Sequence, residues 1–254
     1  MRLADFIIGG APRSGTTWLY QVLDRHPEIF MAKPIKPEPK FFLIDELYDQ
    51  GIDYYGRTWF QDTGVHKVYG EKTTNYLEAT NVAARIKRNL PNVKLIFVLR
   101  EPVERAFSNY LWSIKNKMEK EDFETALFLE DKREKELPKN LRYSRPHANF
   151  SRGLYADLLK PYFDLFPREH ILCLKFEDIV DSTDSFIKRV HKFLGVSPRL
   201  EDGNALGKIN AVDRGDSLRM PDHIRDKLRK AYTEPNRRLA LLLGPDFKIW
   251  EYHE

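Results

Sequence analysis

The chain has 254 residues, with 42 Lys and Arg against 38 Asp and Glu, so the formal net charge of +4 excludes polyanion binding through overall charge alone. Apolar residues make up 42% and aromatic residues 13%, which excludes a disordered chain and suffices for a sizeable core. No stretch approaches the roughly 20 apolar residues of a membrane span, and the single cysteine, Cys173, excludes an internal disulfide and a thiolate metal site.

From the start of the chain we expect no targeting segment. Strand-like sequence begins by Asp5, whereas a signal peptide needs about 15–30 residues of its own. We therefore expect a cytoplasmic globular protein of enzyme size that binds neither membranes nor nucleic acids. Its oligomeric state is left open.

Short apolar runs alternate with helical patterns along the chain. The runs at 6–8, 93–99 and 171–176 predict buried strands. Helical spacing of apolar residues is found after Gly15 up to Pro27 and at 103–114, 155–166, 186–194 and 223–243. Ser182 is a candidate cap for the fourth of these helices, and Gly195 is its stop. Because such alternation is typical of a parallel sheet covered on both faces, the sequence predicts a three-layer α/β/α fold with a central, mostly parallel sheet.

No repeat or low-complexity linker divides the chain, so we expect a single domain over residues 1–254. The stretch 115–150 differs from the rest, since nearly half of its residues are charged. A helix over 122–136 followed by a surface loop is the simpler interpretation. A variable flap over an acceptor pocket is a compatible and sharper one, because long loops in compact domains are often functional.

The segment between the first strand and the first helix has the spacing of a phosphate-binding loop. Residues 10–17 (Gly-Ala-Pro-Arg-Ser-Gly-Thr-Thr) fit the frame G-x-x-x-x-G, whose backbone N–H groups point at an oxyanion beside a helix N-terminus. A triphosphate-binding loop has Lys after the second glycine, whereas this chain has Thr16 there and carries its cation at Arg13. The strand that ends at Leu99 also continues into Arg100 rather than into the magnesium-binding Asp of such NTPases. We therefore predict a P-loop-type site for a nucleotide with no γ-phosphate and no metal; a glycine turn without a ligand is the alternative.

A second group of candidate residues lies where the second predicted strand meets its helix. Arg100 stands at the carboxyl end of that strand, while Arg105 and Ser108 are three apart and project from one helix face. Ligands of parallel sheets bind at such strand ends, so Arg100 and Ser108 are predicted to bind one anion. Two anion sites on one sheet edge indicate a nucleotide with phosphates at both ends of its ribose. The alternative is that Arg100 and Arg105 pair with Glu101 or Glu104 at the surface.

These motifs resemble those of a known family. Residues 12–18 (Pro-Arg-Ser-Gly-Thr-Thr-Trp) are similar to the P-[KR]-x-G-T-T-x loop of sulfotransferases that use 3′-phosphoadenosine 5′-phosphosulfate (PAPS), and Arg100 with Ser108 matches their 3′-phosphate site. Shorter similarities lie at 38–42, 51–55, 70–72 with Tyr76, and 153–155. The resemblance leaves out 115–150 and is greatest to the branch that contains bacterial tailoring enzymes and heparan-sulfate sulfotransferases.

The resemblance implies in-line transfer of a sulfuryl group from PAPS to a hydroxyl or amine of a small-molecule or carbohydrate acceptor, without a metal. Arg13 would contact the bridging oxygen or the 5′-phosphate as charge builds on the leaving group. The 5′-phosphate would be held by the loop residues Ser14, Gly15, Thr16, Thr17 and Trp18. The Trp18 ring is expected either beside the adenine or in the core. In a loose match near the C-terminus, Lys208 and Arg214 would contact the 3′-phosphate.

The acceptor needs a general base, and the resemblance implies Glu38. This chain departs from the family pattern, since Pro37 replaces the usual Lys and Lys40 replaces the His. A solvated glutamate in a Pro-rich loop is the alternative reading of Glu38. His66 is the second candidate base, because cytosolic aryl-type relatives use a histidine. Lys72 is a candidate cation on the acceptor or sulfuryl side.

Two other functions stay open at this point. A P-loop nucleotide or small-molecule kinase would bind ATP with magnesium, although the missing loop lysine argues against it. A catalytically inactive module would bind 3′-phosphoadenosine 5′-phosphate (PAP) without transferring sulfate. The acceptor itself is not determined by the sequence.

Overall fold

A five-stranded sheet forms the centre of the fold in the computed structural model, which describes residues 1–61, 64–200, 219–250 and 252. Its strands are β1 (Phe6–Gly10), β2 (Ile29–Met31), β3 (Val68–Lys72), β4 (Lys94–Leu99) and β5 (Ile171–Lys175). They lie in the order β2-β3-β1-β4-β5, and every neighbouring pair is parallel. The predicted α/β class with a central parallel sheet is therefore confirmed.

Eleven α-helices lie within the described residues. They are α1 (Thr16–Asp24), α2 (Asp45–Tyr48), α3 (Gly51–Phe60), α4 (Val82–Asn89), α5 (Pro102–Lys115), α6 (Phe123–Phe128), α7 (Glu130–Lys135), α8 (Tyr155–Leu165), α9 (Asp178–Asp181), α10 (Thr183–Leu194) and α11 (Asp222–Leu243). Of these helices, none combines the length and the apolar character needed to cross a bilayer.

The described chain divides into two units, and the sheet belongs wholly to one of them. The sheet unit comprises residues 1–61, 64–99 and 161–200. The helical unit comprises residues 100–160, 219–250 and 252.

Both faces of the sheet are covered within the sheet unit. Ile96 and Val98 point to one face, where they pack with Trp18 and other apolar side chains of α1 and α10. Phe97 points to the opposite face because successive strand residues alternate, and its ring lies 4.9 Å from that of Tyr162. β1, β4 and β5 are buried on both sides, which explains why the sequence shows these three strands as nearly continuous apolar runs.

The helical unit has a hydrophobic core of its own. Phe107 and Tyr110 of α5 contact Phe123 of α6, with ring centroids 5.2 Å and 5.0 Å apart. Ile224 and Leu228 of α11 pack against the same cluster. Burial of one apolar stripe per helix is what the spacing of these residues predicts.

Two buried carboxylates organise the charged stretch 115–150. Glu130 accepts the backbone N–H groups of residues 149, 150 and 151 at 2.9 Å, 2.6 Å and 2.8 Å. Glu119 accepts two hydrogen bonds from the Arg133 guanidinium at 2.8 Å and 2.7 Å. The stretch contains two short helices, α6 and α7, and the residues that follow are tied to α7 by Glu130.

The long apolar runs correspond to observed elements. The runs at 6–8, 93–99 and 171–176 fall within or around β1, β4 and β5, and the helical patterns correspond to α1, α5, α8, α10 and α11. Ser182 occupies the N-cap position of α10 without a side-chain cap hydrogen bond, while Gly195 ends this helix with a left-handed φ of 76°. The sequence analysis did not predict β2, β3, α2, α3, α4 or α9, and the single helix expected over 122–136 is divided into α6 and α7.

Candidate functional site

The loop between β1 and α1 turns through two left-handed residues. Arg13 has a φ of 68° and Gly15 a φ of 79°, a backbone region that most side chains disfavour. A Cβ atom on Gly15 would lie 2.8 Å from Ile179 Cδ1 and 2.9 Å from Phe176 Cδ2, so glycine is required there. The first amides of α1 have no acceptor within the helix. The loop therefore has a geometry that favours a bound anion.

Two hydroxyl groups of this loop are buried. Ser14 is 0% exposed and Thr16 is 4% exposed, while Thr17 is half-buried. Among the described residues, the Ser14 hydroxyl has no hydrogen-bond partner, although buried polar groups are nearly always paired. An oxyanion held by the loop amides would supply the missing acceptor, so the loop fits a phosphate group.

Trp18 lies in the hydrophobic core rather than at the surface of the loop. Its side chain is 6% exposed, and its ring packs edge-on against Phe186 of α10 at a centroid distance of 5.9 Å. Of the two expectations for this ring, the geometry favours core packing over contact with a base. The backbone amide of Trp18 still belongs to the first turn of α1.

A carboxylate and an ammonium group meet at the carboxyl end of β3. Lys72 is the last residue of that strand, and its Nζ forms an ion pair with Glu38 Oε1. Glu38 also accepts the backbone N–H and the hydroxyl of Thr74, each at 3.1 Å. The Lys72 side chain is only 2% exposed and that of Glu38 14% exposed. Glu38 is therefore a fixed, partly buried carboxylate, which contradicts the alternative of a solvated glutamate.

This cluster adjoins the anion loop within the sheet unit. β1 and β3 are paired so that Ile8 lies opposite Lys72, and the Thr73 N–H donates to the Ile8 carbonyl at 3.1 Å. A Cβ atom on Gly10 would lie 3.1 Å from the Thr74 carbonyl oxygen. The carboxyl ends of β1 and β3 thus bring the start of the loop beside Glu38, Lys72 and Thr74, at the sheet edge where ligands of parallel sheets bind.

Glu71 is a buried acid that the sequence analysis did not single out. It is 0% exposed and accepts hydrogen bonds from the hydroxyls of Tyr55 at 3.0 Å, Tyr76 at 3.3 Å and Thr73 at 3.2 Å. Burial raises the pKa of this carboxyl to about 7, against the opposing effect of the three hydroxyls. The available sequence signal was weak, since Glu71 stands between Gly70 and Lys72.

His66 lies away from this cluster, at the opposite end of β3. Its ring is near Phe30, at 5.8 Å between centroids, and its Nδ1 is 3.1 Å from the Pro27 carbonyl oxygen. An extended strand rises about 3.3 Å per residue, so β3 alone spans roughly 13 Å from Val68 to Lys72, and His66 lies before its first residue. The structure does not bring His66 to Glu38 and Lys72, which corrects the expectation that it could serve as the base there.

The other predicted phosphate contacts belong to the helical unit. The Arg100 carbonyl accepts a hydrogen bond from the Tyr155 hydroxyl at 2.8 Å, and both Arg100 and Ser108 are half-buried. Glu101 caps α5 by accepting the N–H groups of residues 103 and 104 at 3.0 Å and 2.7 Å. These bonds fix the backbone between β4 and α5.

Arg105 is fully buried and does not lie at the surface. It is 0% exposed, and its Nη2 donates to the Asn149 carbonyl, while Glu104 pairs with Arg225. For Arg105, the alternative of pairing with Glu101 or Glu104 at the surface is therefore wrong. Lys208 and Arg214 lie outside the described residues.

Comparisons with known proteins agree with this architecture. A family model described as a sulfotransferase domain matches residues 3–208. Heparan sulfate glucosamine 3-O-sulfotransferase 3B1 from Mus musculus is 27% identical over 268 residues, which cover 97% of this chain but only 65% of that protein. The chain thus spans slightly less than two thirds of this relative.

Solved structures show the same likeness. A sulfotransferase from Alicyclobacillus acidocaldarius is 28% identical, with a TM-score of 0.79 over 97% of this chain and 98% of that chain. Mouse sulfotransferase SULT7A1 complexed with PAP is 17% identical, with a TM-score of 0.57 over 95% of this chain and 88% of that one. The second of these likenesses shows the fold alone.

Proposed function

Because the chain belongs to the sulfotransferase family, we propose that it transfers a sulfuryl group from PAPS to a hydroxyl or amine of a carbohydrate or small-molecule acceptor. The observation that carries the proposal is the juxtaposition, at one sheet edge, of an anion-binding loop and the buried Glu38–Lys72 pair. The loop suits the charged end of the donor, and the pair suits an acceptor that must lose a proton.

PAPS is proposed as the donor on the basis of the loop and its resemblance to the family. The amides of 14–18 and the buried hydroxyls would hold the 5′-phosphate. The Ser14 hydroxyl, which has no hydrogen-bond partner within the described part of the chain, supports this assignment. Arg100 and Ser108 would bind the 3′-phosphate, as the resemblance implies. A mouse protein of the same fold is solved with PAP, which supports the same nucleotide class here.

Glu38 is proposed as the general base. The acceptor O–H or N–H proton would pass to a Glu38 carboxylate oxygen while the acceptor oxygen or nitrogen forms a bond to sulfur. The bond between sulfur and the bridging oxygen would break on the opposite side, and the electron pair would stay on the 5′-phosphate of PAP. Arg13 and Lys72 would offset the negative charge that develops on the leaving group and on the sulfuryl oxygens. Because guanidinium stays protonated, Arg13 would act by charge rather than by donating a proton.

The acceptor is proposed only as a class. The matched mouse relative is named for sulfation of glucosamine in heparan sulfate, which favours a carbohydrate over a phenol. A cytoplasmic location, a single domain over the whole chain and a flap at 115–150 stay predictions. So does independence from metals, which transfer assays with and without EDTA would test.

The proposal is tested by binding and transfer measured on the same preparation. Calorimetry should show binding of PAP and PAPS, and labelled PAPS should give labelled product with a carbohydrate panel. Glu38→Gln should abolish turnover and keep PAP binding, while the control Glu46→Gln, at an exposed position on α2, should retain both. Undiminished turnover in Glu38→Gln would remove the base assignment.

Two results would favour the other functions. Tight binding of ATP with magnesium and no binding of PAP would indicate a kinase and overturn the donor. Binding of PAP without transfer to carbohydrate, phenolic or amine acceptors would indicate an inactive binding module.

A further inference from the structure

Glu71 is surrounded by hydroxyl groups from three segments of the sheet unit. Tyr55 comes from α3, Tyr76 from the turn Thr74–Glu78, and Thr73 follows β3 directly. All three side chains are 0% exposed and all three donate to the Glu71 carboxylate. Burial raises the pKa of Tyr55 and Tyr76 well above the ordinary tyrosine value, so both stay protonated donors.

Two of these hydroxyls also hold the loop that carries Glu38. The Lys40 N–H donates to Thr73 Oγ1 at 3.1 Å, and the Phe42 N–H donates to Tyr76 Oη at 3.2 Å. Each hydroxyl therefore accepts a backbone amide of the loop and donates its proton to Glu71. Phe42 adds packing, since its ring lies 5.8 Å from that of Tyr76.

We propose that Glu71 is a positioning residue for Glu38, which fixes the 38–42 loop through Thr73 and Tyr76. This inference rests on the proposed function, in which Glu38 is the base. The carboxylate form accepts from all three hydroxyls at once, so each keeps its orientation toward the loop. The protonated form has to use one oxygen as a donor, which displaces a hydroxyl proton and weakens the hold on the loop.

The groups that face Glu71 decide at which pH its carboxyl becomes protonated. From α3 and the Thr74–Glu78 turn these are Tyr55 and Tyr76, both neutral, and from β1 the residue opposite is the apolar Ile7. From the loop it is Glu38, whose negative charge adds to the effect of burial in raising the pKa of Glu71 to about 7. The loop is thus held more firmly above neutral pH than below it, and a fall in turnover near pH 7 is assigned to protonation of Glu71.

The test compares three variants by two independent measurements. Glu71→Gln removes the charge at nearly constant volume, and Thr73→Val with Tyr76→Phe removes the links to the loop. Tyr55→Phe is the matched control, because Tyr55 donates to Glu71 without touching the loop backbone. Hydrogen exchange of the Lys40 and Phe42 amides at fixed pH reports the hold on the loop without reference to activity.

We expect about tenfold faster exchange of these amides in Glu71→Gln and in the Thr73→Val/Tyr76→Phe variant, and unchanged exchange in Tyr55→Phe. Above neutral pH, Glu71→Gln should also lower kcat about tenfold with little change in KM, and lose the acid limb near pH 7. Unchanged amide exchange in both loop-directed variants would overturn the inference, and the double variant decides it if Glu71→Gln does not fold. Failure of the wild-type chain to transfer sulfate would instead refute the proposed function, and the exchange data would still judge the role of Glu71.

Discussion

Replacing Glu71 with Gln removes a buried ionisable group whose pKa the fold raises from 4.5 to about 7. A carboxyl with a raised pKa binds its proton more tightly in the folded chain than in the unfolded chain. Its contribution to stability is therefore greatest below the unfolded pKa and is lost as the pH rises through the folded pKa. In the Gln variant this pH dependence is absent, while every other titrating group is shared with the wild-type chain.

The size of the effect follows from the two pKa values. One pKa unit corresponds to about 1.4 kcal/mol, so a rise from 4.5 to about 7 makes the full contribution about 3 kcal/mol. The group is buried to 0% exposure, so solvent screening does not reduce this figure. Between pH 5 and pH 8, the free energy of unfolding of wild type minus that of Glu71→Gln should fall by about 2–3 kcal/mol.

Urea unfolding followed by tryptophan fluorescence measures both proteins at each pH. The Gln side chain is expected to change the absolute stability at every pH, so the informative quantity is how the difference varies with pH. A difference that stays constant within about 0.5 kcal/mol from pH 5 to pH 8 would refute the assignment of Glu71 as a group that titrates near neutrality. A difference that grows with pH would show that folding lowers the pKa of Glu71 rather than raising it, and would refute the predicted direction of the shift.

Three further substitutions test other parts of the structure. Gly15→Ala places a Cβ 2.8 Å from Ile179 at a φ of 79°. Thermal unfolding should therefore show that the free energy of unfolding falls by about 1–2 kcal/mol, and calorimetry should show that PAP binding is lost. Lys72→Met leaves the 14%-exposed Glu38 carboxylate without its cation. Denaturant unfolding should show that the free energy of unfolding falls by about 3 kcal/mol. Adding Glu38→Gln to this variant should restore most of that loss. Glu130→Ala removes the acceptor of three backbone N–H groups, so the free energy of unfolding should fall by about 3 kcal/mol. Hydrogen exchange should become faster only at the backbone amides of 149–151.

The sequence predicts the elements whose packing is apolar and periodic. β1, β4 and β5 are buried on both faces, so they appear as apolar runs, and α5 and α11 show their buried stripes at helical spacing. β2 has only three residues, and β3 ends in Gly70-Glu71-Lys72. A strand this short or this polar has no periodic signal, so its place between other strands is decided by the packing of the whole sheet.

The candidate site is only partly accessible to sequence reasoning for the same reason. The loop at 10–17 is local, and its glycines and the start of α1 suffice to predict an anion site. The ion pair of Glu38 with Lys72 joins distant parts of the chain, and no spacing rule connects them. Trp18 shows the limit of motif reading, because the motif leaves its ring either beside the adenine or in the core, and only the fold shows that it packs with Phe186 in the core.

The turn at Gly15 rests on Phe176 and Ile179, which follow β5 far along the chain. A ribosome-bound nascent chain that has emerged only as far as β4 contains the complete loop sequence. It still lacks Phe176 and Ile179, the side chains that the turn at Gly15 packs against. If the loop binds the nucleotide as proposed, binding of PAP should therefore appear late in synthesis, after β5 has joined the sheet, and it would report completed folding of this unit.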